Sequence, residues 1–126
     1  MPTTDEMKAT VEAYARNHSA KDTDAVAALF ATDCVVADPV DAEPMLGRDA
    51  VHAFFAGTHQ GAERFELAIT GPIRAVGSWA AVPLRAETTI GGNTFQVDII
   101  DVFTFAEDGL IAEMRAYWTA ADIRQL

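Results

Sequence analysis

The sequence predicts an α+β fold, with helices packed on one face of an antiparallel sheet. Three observations carry this. Apart from one strand-like run at CVVAD, apolar residues recur at helical intervals as far as about residue 57, from Phe65 onward they follow strand-like runs, and those runs are separated by glycine-containing turns. The 126 residues, 50% of them hydrophobic, suffice for one sizeable core. No repeat, low-complexity tract or Pro/Ser-rich hinge divides them, so residues 1–126 are read as a single domain.

Thr3 and Glu6 have capping-box spacing, and Met7, Val11, Tyr14 and Ala15 then fall on one face, which predicts a helix over residues 4–19. Asp22 caps a second helix through DAVAALF, whose Val26, Leu29 and Phe30 share a face. CVVAD changes to a two-residue period. It stops at Asp38, because Pro39 has no backbone donor and holds its predecessor extended. Gly47 precedes a short helix carrying Val51, Phe54 and Phe55, closed near Gly57. The strands FELAIT, PIRAV, WAAVPLRAETTI, TFQVDIIDVFTFAE and LIAEMRAYWTA follow, with hairpins at GGN and EDG. Val, Ile and Phe occupy both faces of residues 97–105, so the sheet face turned away from the helices is expected to be covered as well, by a second copy in a homodimer.

Nine basic residues against nineteen acidic ones give a formal charge of -10, which repels phosphate backbones and anionic headgroups; neither nucleic acid nor membrane is an expected partner. The start, MPTTDEMK, has acids where a signal peptide has bases, and no run approaches the ~20 apolar residues of a membrane span, so the expected location is cytoplasmic. A single cysteine, Cys34, forms no intrachain disulfide and reads as a small buried hydrophobe. His18, His52 and His59 are far apart in sequence and lack zinc-like spacing. There is neither a glycine-rich phosphate loop nor a G-x-S-x-G elbow, and the expected site uses no metal and no cofactor. An apolar pocket with a few acids remains, which suits a neutral, hydrophobic small molecule.

Asp101 is the sharpest feature. In VDIIDVFTF it shares a strand row with Val97, Ile99, Phe103 and Phe105, where an ionised carboxylate needs a partner or else keeps its proton. A protonated Asp is a hydrogen-bond donor, and a satisfied structural acid is the alternative. Asp98 points the other way, to an exposed or interface position. Tyr14 lies on the buried face of the first helix, Asp38 ends a strand before a proline, and Trp118 shares a row with Met114 and Ala116. Asp22, Asp24 and Asp33 read as capping and loop acids.

Taken together, YARNHSAKDTDAVAALFA, VVADPVDAEP, GRDAVHAFF, VDIIDVFTF and EMRAYW resemble the Δ5-3-ketosteroid isomerases of the nuclear-transport-factor-like, SnoaL-like superfamily, over about residues 7–120. The resemblance implies a cone-shaped, cystatin-like roll with N-terminal helices on a curved sheet. It also implies that Asp38 is the catalytic base and that Tyr14 and a protonated Asp101 form an oxyanion hole. That division of labour between two acids is a known property of ketosteroid isomerases, not one read from this chain. Phe54, Phe55, Met114 and Trp118 become the expected apolar walls. Two departures stand out: Phe30 and Phe55 occupy positions where some family members carry tyrosines supporting the catalytic one, and Thr88 would make a wall more polar if it faced the pocket. A SnoaL-type polyketide cyclase and a non-catalytic ligand-binding module share the fold and remain open. A limonene-type epoxide hydrolase would have Arg at the position of Ile99.

Overall fold

The computed structural model describes residues 1–126. Helix α1, Thr4–Ser19, has the extent that the spacing predicts. Its capping box is closed: the Thr3 hydroxyl accepts from the Glu6 N–H at 3.1 Å, and the Thr3 N–H donates to Glu6 Oε1 at 2.8 Å. Helix α2, Thr23–Ala27, is capped by Asp22, which accepts from the Ala25 N–H at 3.1 Å. It is shorter than its apolar pattern suggests, for Phe30 already belongs to strand β1, Phe30–Ala37. Tertiary contacts decide this boundary. The Leu29 carbonyl accepts from the Ile111 N–H, and the Phe30 carbonyl accepts from Arg48 Nε at 2.8 Å and Nη2 at 2.6 Å.

A two-residue strand absent from the sequence reading, β2, Met45–Leu46, leads into helix α3, Arg48–Gly61. Gly47 enters that helix with φ +90°, in the region glycine favours. The helix runs past Gly57, where closure was predicted. Its last turn is fastened by His59, which bonds both α1 and α2. Strands β3, Arg64–Ile69, β4, Arg74–Val76, β5, Trp79–Ile90, β6, Asn93–Phe105, and β7, Ile111–Tyr117, complete the sheet with a short β8, Ile123–Gln125. The last two predicted strands overrun their ends: β6 stops at Phe105 and β7 at Tyr117. Pro83 is tolerated inside β5 because it falls between the last β3 partner, at Leu84, and the first β4 partner, at Ala81.

The main strand order is β2-β1-β7-β6-β5-β3. Every pair is antiparallel except β1–β7, so the sheet is mixed and not purely antiparallel as expected. A parallel neighbour requires a long crossover, and α3 with β3 to β6 supplies one. On the inner face Val36, Phe103, Ile111 and Met114 are fully buried, in one core cluster with Met7 and Val11 of α1. Cys34 is likewise buried. The outer face leaves Trp79, Ile100 and Tyr117 exposed. No helix is long and apolar enough to cross a membrane.

Candidate active site

Strand β6 places Asp101 on the inner face of the sheet, only 3% exposed, with Val97 and Ile99 continuing its row. Tyr14 reaches the same cavity from the buried face of α1. Its ring is steered by aromatic edges, those of His18 at 4.5 Å, of Phe103 at 5.2 Å and of Phe30 and Phe55 at 6.2 Å each between centroids. Phe30 and Phe55 therefore orient Tyr14 by packing, where hydroxyls at those positions would add hydrogen bonds.

Asp38 follows the end of β1, and Trp118 follows the end of β7. These strands are parallel neighbours in register Ala37 to Arg115, so both residues emerge at the same end of the sheet. There the indole N–H of Trp118 donates to Asp38 Oδ1 at 2.7 Å. Tyr14, Asp38 and Asp101 thus line one cavity of about 190 Å³. Of the expected walls, Phe54, Phe55 and Trp118 line it, joined by Phe65, Leu67 and Ile99. Met114 does not. It shares the row of Trp118 but sits four residues earlier, opposite Phe103, and is sealed in the core. Ala86, not Thr88, contributes the β5 side chain of the wall.

The three polar residues differ in how burial treats them. Asp101 is pushed well above the usual carboxylate range, first by desolvation and then by the nearby Asp38. Its Oδ1 has no protein partner. Desolvation, followed by the charges of Asp101 and Asp38, likewise drives the Tyr14 hydroxyl well above its ordinary value, keeping it a donor. Burial raises Asp38 too, but the Trp118 bond favours its carboxylate and opposes the rise. The cavity therefore combines two neutral donors with an acid held closer to ionisation. Asp33 and Glu43 are exposed and take no part; Asp22 caps α2, and Asp24 pairs with His52 at 2.7 Å.

The sequence reading missed His18. Spacing kept the histidines apart, yet His18 Nδ1 lies 2.9 Å from His59 Nε2, and both rings are buried. A signal existed: His18 continues the Met7, Val11, Tyr14 series at helical spacing. Desolvation, aided by His59, lowers its pKa from 6.5 to about 3. The unfolded chain therefore binds a proton at His18 below pH 6.5 that the native state refuses down to about pH 3. Stability is expected to fall as pH drops through that window, with His18 adding about 1.4 kcal/mol per pH unit at most. Acid unfolding of His18→Leu, followed by circular dichroism, should show a shallower slope than the parent; an equal slope would mean His18 titrates normally in the fold.

Residues 11–114 match the SnoaL-like domain family. The chain is 36% identical over 118 residues to a steroid Δ-isomerase of Nocardioides simplex, covering 94% of each protein. It is 35% identical to the epoxide hydrolase LasB of Streptomyces lasalocidi over 86% of this chain, a span that represents 40% of LasB. Among solved structures it is similar to SalBIII, described as an epoxide hydrolase/cyclase-like enzyme in pyran ring formation in the polyether salinomycin, with a TM-score of 0.88, 29% identity and 98% coverage of both chains. These proteins are enzymes on the same α+β cone. By the extent of the family match and by likeness along nearly its whole length to an isomerase, this chain belongs to the SnoaL-like domain family.

Proposed function

We propose that the protein is a Δ5-3-ketosteroid isomerase. The observation that carries this reading is the pairing, in one apolar cavity, of two buried neutral donors with an acid whose Oδ1 is tied to an indole. Asp38 takes a proton from the carbon between the ketone and the isolated double bond, giving a dienolate, and returns it two carbons further along. The double bond moves into conjugation and no atom is gained or lost. Charge that develops on the ketone oxygen meets hydrogen bonds from Tyr14 and protonated Asp101 in a cavity with largely apolar walls. Similarity to the Nocardioides simplex enzyme supports the same chemistry. The test is ultraviolet detection of conjugated enone when the purified protein meets a Δ5-3-ketosteroid. Folded protein that forms no enone overturns the reading.

Trp118→Phe removes the donor that favours the Asp38 carboxylate and keeps an aromatic ring in the wall. Asp38 then titrates higher, so the acid limb of the kcat/KM profile should move to higher pH. An unmoved limb would mean the indole serves only as a wall.

The likeness to LasB and SalBIII favours a second reading, epoxide opening with ring closure. Asp101 would give its proton to the epoxide oxygen while Asp38 takes one from an internal hydroxyl. Ile99 in the wall provides no guanidinium to hold a hydrolytic water, so cyclisation is the form this reading takes. Turnover of a hydroxy-epoxide without any enone formation would select it.

The partner we propose is a second copy of the chain, seated on the outer sheet face. Ile100 and Tyr117 pair across β6 and β7 there and, like Trp79, remain substantially exposed, at 51%, 43% and 54%. Sedimentation should give a dimer that Ile100→Asp dissociates; a monomeric parent protein would contradict it.

A further inference from the structure

The proton transfer described above makes no use of His18, although it is a polar side chain in the wall of the same cavity and 2% exposed. Its Nδ1 is taken by His59, whose own Nδ1 lies 2.7 Å from the Thr23 hydroxyl. No protein group reaches its Nε2. Two proton arrangements satisfy this chain, since each neutral imidazole carries one N–H. In one, Thr23 donates to His59, His59 donates to His18, and His18 keeps its proton on Nε2. In the other, His18 donates to His59, His59 donates to Thr23, and Nε2 presents a lone pair. Because the Thr23 hydroxyl serves either direction, Nε2 is a donor or an acceptor as its contact requires.

His18 stands away from the reacting acids. It follows Tyr14 by one helical turn, about 6 Å along α1, and its ring packs edge-on against that of Tyr14 with centroids 4.5 Å apart. The next residue, Ser19, accepts from the Leu67 N–H at 2.9 Å, which holds this end of α1 over β3. Leu67, Ala86 and Val97 form one cross-strand row there, and Val97 precedes Asp101 by four residues, roughly 13 Å of strand. The walls between are apolar. The other hydroxyl in the lining, that of Thr58, donates to the Phe54 carbonyl one turn back on α3, at 3.4 Å.

We infer that His18 is a specificity-determining residue, whose Nε2 meets a second polar group, a hydroxyl or a ketone, on a substrate bound with its reacting ketone at Tyr14 and Asp101. This rests on the ketosteroid reading and narrows it to oxygenated steroids. A plain hydrocarbon skeleton would cover Nε2 without replacing its hydrogen bond, and the buried nitrogen would remain unpaired.

The test is equilibrium binding of non-reactive, saturated 3-keto steroids. A panel each carrying one hydroxyl on ring C or ring D is compared with the parent ketone lacking it. At least one hydroxylated ligand should bind about 3- to 10-fold more tightly than the parent ketone, the usual worth of one hydrogen bond, and His18→Leu should erase that ratio. The wild-type protein gives an independent reading: with ¹⁵N-labelled histidine, the His18 Nε2 resonance should shift with the preferred ligand and not with the parent ketone. Binding of the parent ketone with no hydroxyl preference, a preference that survives in His18→Leu, or an unshifted Nε2 overturns the inference and leaves the isomerase reading intact. Failure of the parent ketone itself to bind overturns the steroid reading and the inference with it.

Discussion

Asp38→Asn is expected to lose about 10⁴-fold in enone formation, the top of the range for a positioned general base. The amide has nearly the carboxylate's shape and its oxygen can still accept from Trp118, so the cavity keeps its outline. What disappears is the ability to take a proton at the substrate carbon. Ligand affinity should therefore change little while kcat collapses, which separates loss of the base from loss of the pocket. Titration with a saturated 3-keto steroid supplies the affinity, and the enone assay supplies kcat. Neither Asp33 nor Glu43 is placed to substitute, since both lie exposed, outside the cavity, and Asp101, which does line it, is held protonated by burial. An Asn variant that retains turnover would dismiss Asp38 as the base outright.

Asp101→Ala should lower turnover by roughly 10²–10³, the scale for removing one donor from an oxyanion hole. A loss below about threefold would take Asp101 out of the mechanism, far short of the usual effect of such a donor. Stability supplies the control. Because the folded pKa of Asp101 lies well above the ordinary carboxylate value, the native state holds a proton that the unfolded chain releases. Native stability is therefore drained as pH rises above about 4, until the folded group itself ionises. The variant lacks this loss, so its unfolding free energy should decline less with pH over that interval. Denaturant melts at several pH values would show it. This slope is opposite in sign to that of His18, which penalises the fold as pH falls.

Much of the fold could be read from one-dimensional patterns because local chemistry specifies it. The Thr3–Glu6 box, the Asp22 cap and the glycine turns act over a few residues, and the helix starts and chain reversals they specify appear where expected. Asp101 was equally visible, because a carboxylate in an apolar strand row is anomalous whatever surrounds the strand. The failures have the opposite character. Phe30 left its helix for a strand because of partners at Arg48 and Ile111, and α3 gained its last turn through His59. The His18–His59 contact joins residues 41 apart, and neither ring announces its partner by spacing. Met114 was misassigned for a subtler reason: strand parity names a face and says nothing of position along it. Its row continues from the sealed core to the open cavity, where Trp118 stands.

The parallel pairing of β1 with β7 has a consequence for the order in which a nascent chain becomes competent. Asp38 and Trp118 meet across 80 residues, and their contact closes only after β7 has found its place between β1 and β6. Closing so long a loop is entropically costly and is compensated chiefly by strand pairing already in place. Helices and the β5–β6 hairpin, held by near-neighbour contacts, can form first. During synthesis the reactive carboxyl is made early and receives its indole late. Recovery of activity on refolding should accordingly trail recovery of helical signal, making catalysis a reporter of the completed sheet.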